Sequence, residues 1–66
     1  MYAVNGSVEV FRNGKYRTEY LPTFYLDASV QGILNVKHAD QIAREIVDPC
    51  KLYDRVTLSV VWIGRA

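Results

Sequence analysis

Only one stretch of this chain has helical spacing, and it stands between segments that alternate with the two-residue period of strands. Ala39, Ile42, Ala43, Ile46 and Val47 form a single apolar stripe, with Lys37, Asp40, Gln41, Arg44 and Glu45 on the opposite side. Asn35 is a suitable N-cap, and Leu34 and Ala39 occupy the two positions of a hydrophobic staple. Pro49 forces a stop near Val47 or Asp48, because it disfavours the α region in the residue before it. A lone helix can cover one face of a sheet, and the other face must then be polar or find a partner.

The strand segments are read by the parity of their side chains. From Tyr2 to Val10 the even positions are Tyr2, Val4, Gly6, Val8 and Val10, which marks an inward even face. Arg12, Asn13, Gly14 and Lys15 signal a hairpin. A two-residue loop would set Val10 opposite Arg17, whereas a three-residue loop from Arg12 to Gly14 pairs Val10 with Tyr16, Val8 with Thr18 and Glu9 with Arg17. The second register keeps apolar residues together and is the one expected. It gives the second strand an inward face of Tyr16, Thr18, Tyr20, Phe24, Leu26, Ala28 and Val30, with Pro22 at a bulge or bend of an edge strand. The last strand runs from about Arg55 to Ile63, with Val56, Leu58, Val60 and Trp62 on one face and Thr57, Ser59, Val61 and Ile63 on the other.

The order is therefore ββαβ. Reversal by the helix makes the third strand antiparallel to the first, so the expected fold is α+β: a three-stranded, mainly antiparallel sheet in order 2-1-3 with one amphipathic helix on one face. At 66 residues this is a single domain spanning positions 1–66.

Composition bears on function mainly by exclusion. Apolar residues make up 50% and charged residues 23%, a folding rather than a disordered balance. A net charge of +1 gives no overall field to gather nucleic acid or an anionic membrane. The apolar runs fall far below the roughly 20 residues needed to cross a bilayer, and the first residues lack the basic and apolar regions of a secretory signal. The single cysteine, Cys50, cannot form an internal disulfide, which points to the cytoplasm.

No constellation of residues carries recognisable chemistry, and no cofactor, metal or catalytic residue is expected. His38 has no serine, cysteine or carboxylate placed to work with it, so it reads as a structural residue of the helix's first turn. Cys50 has no second cysteine and reads as a small half-buried loop residue. Gly14 and Lys15 are explained by the turn, since Tyr16 stands where a phosphate-binding loop needs serine or threonine. Asp27, Asp40, Asp48 and Asp54 are scattered over different elements.

Two surfaces remain as candidates. On the uncovered sheet face, the end away from the hairpin should bring together Ala3, Leu21, Tyr25, Val61 and Ile63, an apolar patch of the kind that marks a partner surface. At the hairpin tip, Arg12, Lys15 and Arg17, with Tyr16 and Tyr20 nearby, could contact single-stranded nucleic acid.

The run His38, Ala39, Asp40, Gln41, Ile42, Ala43, Arg44, Glu45, Ile46, Val47, Asp48, Pro49, followed by a valine-rich strand, resembles small uncharacterised proteins encoded by actinobacterial phages, with their HAxxIAxxI helix ending before proline. The likeness covers about the second half of the chain. It departs at the helix start, where Asn35, Val36 and Lys37 replace a start rich in Ser, Asp or Glu. It implies a phage accessory protein in the host cytoplasm and carries no activity or site residues with it. The expected function is thus a non-enzymatic protein-interaction module that self-associates or binds a host protein. A small nucleic-acid binder is the alternative.

Overall fold

The computed structural model describes residues 1–64. Strands β1 (Tyr2–Arg12) and β2 (Lys15–Leu26) form a long hairpin, followed by a short helix α1 (Ala28–Gln31), the main helix α2 (Val36–Val47) and strand β3 (Arg55–Trp62). The sheet has three strands in the order β2-β1-β3, and β1 pairs antiparallel with both neighbours. The α+β class and the 2-1-3 order are those expected from the sequence.

Apolar alternation on β1 and the small residues of α2 build the core. Val4 and Val8 on β1 are fully buried, as are Ala39 and Ala43 on α2. With only methyl groups at these two positions the helix can lie close on the sheet. Tyr2, Leu26 and Ile33 join Val4, Ala39 and Ala43 in one cluster, and Phe24, Ala28, Ile42, Leu58 and Val60 pack around it. The α2 N-cap is Asn35, whose Oδ1 accepts from the His38 amide at 2.8 Å. The staple does not form, because Leu34 is 85% exposed. Instead the Leu34 amide donates to His38 Nδ1 at 3.2 Å, a reciprocal cap that gives His38 a structural task.

The hairpin register differs from expectation. Asn13 (φ 52) and Gly14 (φ 76) both take positive φ, as a two-residue type I′ turn requires. Arg12 pairs with Lys15, Phe11 with Tyr16, Val10 with Arg17 and Glu9 with Thr18. The expected pairs Val10–Tyr16, Val8–Thr18 and Glu9–Arg17 are not made, and Glu9 instead lies 3.9 Å from Arg55 of β3. Two physical reasons account for the difference. The twist of a type I′ turn matches that of the strands it joins. Moreover, every side chain from Phe11 to Tyr20 is exposed, so no buried face holds the register at the tip.

The mismatch is absorbed farther along. The register shifts between Val4 and Gly6, where Pro22 and Thr23 of β2 oppose Asn5 alone. Past this bulge, Val4 pairs with Phe24 and Tyr2 with Leu26, which restores the inward even face under the helix. Proline at the bulge of an edge strand is as expected. Gly6 pairs with Leu21 and Leu58, and a Cβ there would run into the Thr57 carbonyl oxygen.

β2 also ends earlier than expected, at Leu26. Asp27 caps α1 by accepting from the Ser29 and Val30 amides at 2.9 and 3.3 Å, and Gly32 closes it in the left-handed conformation at φ 65. The amides of Val30 and then Ser29 hold the Asp27 carboxyl below its ordinary value of 3.8. Ala28 and Val30 are therefore helix residues rather than strand residues.

Candidate functional site

The face of the sheet opposite α2 carries the exposed apolar surface, and the register decides which side chains reach it. Cross-strand partners share a face, and alternate residues change face. Ala3 pairs with Tyr25 on one side and with Val61 on the other, so these three stand in a row on the outer face. Ile63 continues that row by parity, its amide donating to the Met1 carbonyl at 3.0 Å. Tyr25, Val61 and Ile63 are 58%, 53% and 53% exposed. Nothing among the described residues covers them.

The loop that follows α2 packs elsewhere: Leu52 and Tyr53 border a shallow depression with Val10, Arg17 and Glu19, on the helix side of the hairpin. Four of the five expected patch residues, Ala3, Tyr25, Val61 and Ile63, thus share a face. Leu21 does not. It pairs with Gly6, which also pairs with Leu58, so it lies on the helix side and is half-buried. The bulge at Pro22 is the physical reason, since one extra residue on β2 inverts the parity of everything toward the tip.

That inversion adds residues to the outer face. Phe11 and Tyr16 form a cross-strand pair there, with ring centroids 5.0 Å apart and planes at 54°. Tyr20, paired with Ser7, is 84% exposed on the same face. Tyr16 and Tyr20 were expected to face inward. The signal that could have placed them was Asn13-Gly14 itself, the strongest short hairpin dipeptide, read as a two-residue loop. The uncovered face therefore bears aromatic and apolar groups at both ends, with Glu9, Thr18, Thr57 and Ser59 between them.

Arg12, Lys15 and Arg17 come together on the opposite side of the tip. Arg12 pairs with Lys15, and Arg17 pairs with Val10, so all three share the helix-side face. Glu19, opposite Val8, stands beside them. The cations and the tyrosines thus lie on two faces of one ribbon rather than on a common platform.

At the C-terminal end of α2, Arg44, Asp48, Lys51, Tyr53, Asp54 and Arg55 line an open cleft of about 600 Å³. Asp48, Asp54 and Arg44 brace the chain here. Asp48 accepts from the Leu52 and Tyr53 amides at 2.7 and 3.1 Å, and Asp54 accepts from the Phe11 amide at 2.6 Å. Arg44 Nε bonds Asp40 at 2.8 Å while its Nη1 donates to the Val56 carbonyl at 2.7 Å. Cys50 is exposed in this loop, not half-buried. Among the described residues, no group of three His, Cys, Asp or Glu side chains is placed to hold a metal ion, and no helix is long and apolar enough to cross a membrane. No family model, curated protein or solved structure matches the chain.

Proposed function

We propose that this protein is a non-enzymatic interaction module that associates with a second copy of itself through the outer face of its sheet. The observation behind the reading is the row of Ala3, Tyr25, Val61 and Ile63, left open because the single main helix lies on the other side. Tyrosine and branched aliphatic side chains give large contact area for little conformational entropy, as the centre of an interface requires. The unpaired Cys50 fits a reducing compartment such as the cytoplasm. The resemblance of the α2 segment to small phage-encoded proteins favours an accessory role there, with host components as further partners.

Light scattering should find a dimer or larger assembly, and Tyr25→Glu with Val61→Glu should reduce it to a monomer that keeps its circular dichroism. A wild-type chain that stays monomeric at high micromolar concentration would remove the proposal. A second reading, a nucleic-acid binder, is favoured by the clustering of Arg12, Lys15 and Arg17 on one face of the tip. It requires binding to single strands that weakens steeply with added salt.

A further inference from the structure

We propose that the free edge of β3, from Leu58 to Trp62, pairs antiparallel with the same edge of a second copy, joining two three-stranded sheets into one of six strands. This takes its partner from the self-association reading and assigns a second surface to it.

The direction of the backbone groups follows from the hydrogen bonds of the ladder. The Ile63 amide bonds the Met1 carbonyl, so odd residues of β3 exchange their bonds with odd residues of β1. Even residues of β3 then turn their amides and carbonyls outward. The first outward carbonyl, that of Val56, is taken by Arg44 from α2. Beyond it, the backbone groups of Leu58, Val60 and Trp62 have no partner among the described residues. From Val56 to Ile63 the strand carries no charge, no proline and no bulge, the devices that ordinarily block an edge.

The other edge of the sheet is guarded. β2 presents Lys15, Arg17 and Glu19, then Pro22 and its bulge. With one open edge per molecule, edge pairing joins two copies and cannot itself run on into a filament, and the outer faces of the two, side by side, stay free to dock on a second such pair. The open edge is also self-complementary. A two-fold axis at Val60 sets this residue opposite itself and Leu58 opposite the second copy's Trp62, with no like charges facing. Trp62 is half exposed on the helix side and touches Tyr2 edge-on at 4.9 Å, which leaves its outer half for that Leu58 to cover. On the other side Val61 of both copies flanks the axis, so the two outer patches become one.

The decisive experiment uses the full chain made by chemical synthesis with an N-methyl group on Val60. That amide is outside the β1 ladder, so the subunit should fold while dimer affinity falls roughly tenfold or more through the two symmetric bonds lost. N-methylation of Thr18, whose amide faces the guarded edge of β2, should leave affinity unchanged. In the unmodified chain, the amides of Leu58, Val60 and Trp62 should exchange slowly in the dimer and fast after dilution, and Trp62 fluorescence should shift to the red on dissociation. A dimer in which those three amides exchange fast would overturn edge pairing and leave face-to-face association standing. A chain that never dimerises would overturn both. If the N-methyl variant fails to fold, the exchange pattern of the unmodified chain decides.

Discussion

Gly6 shows how a single missing carbon permits the centre of this sheet. It lies on the middle strand, between Leu21 and Leu58, and the position its Cβ would occupy is taken by the Thr57 carbonyl. The obstacle is backbone held by its own ladder, so no rotamer change can relieve it. Gly6→Ala should therefore destabilise the fold by roughly 3 kcal/mol, the upper end of the range for overpacking. Urea denaturation would measure this, and a loss below about 0.5 kcal/mol would mean that β1 and β3 can separate locally at low cost. Val4 and Val8, two residues to either side, are fully buried for the ordinary reason of apolar burial, and their parity makes that plain in the sequence.

At the scale of elements, legibility follows burial. The bounds of α2, its Asn35 cap, the inward face of β3 and the strand order could all be read, because each is set by a repeating apolar pattern or a local stop signal. The tip register could not be read from pattern, since nothing from Phe11 to Tyr20 is buried and turn chemistry decided instead. Leu21 was misplaced for the same reason: the parity of β2 changes at Pro22, and a bulge leaves no periodic trace. The four-residue α1 was hidden within an alternating run, although Asp27 and Gly32 are its cap signals. The turn itself can be tested at Asn13, which needs a left-handed backbone here but a right-handed one in the three-residue loop. Asn13→Ala should cost about 1 kcal/mol and Asn13→Gly very little, read from thermal or urea unfolding. An alanine variant as stable as the parent would argue for the longer loop and return Tyr16 and Tyr20 to the helix side.

For the molecule as a whole, one helix of 12 residues lies along a sheet within a body 43 Å long and 18 Å and 14 Å across. Among the described residues the buried core holds seven side chains, while Tyr20, Tyr25, Val61, Trp62 and Ile63 are all at least half exposed. An apolar group buried only on association adds to the stability of the assembly and not to that of the separate subunit, so the two equilibria are linked by mass action. If a dimer unfolds to two free chains, each tenfold rise in concentration stabilises each chain by about 0.7 kcal/mol. For a chain of this size that raises the melting temperature by about 5 °C per decade. Scanning calorimetry or circular dichroism from about 5 μM to 500 μM should show this slope in the parent chain, flattening at the low end as the dimer dissociates. The variant carrying Tyr25→Glu and Val61→Glu should melt at one temperature throughout, close to the value that the parent approaches on dilution. A parent whose melting temperature ignores concentration over the whole range would show that the subunit is stable with its apolar face open to water.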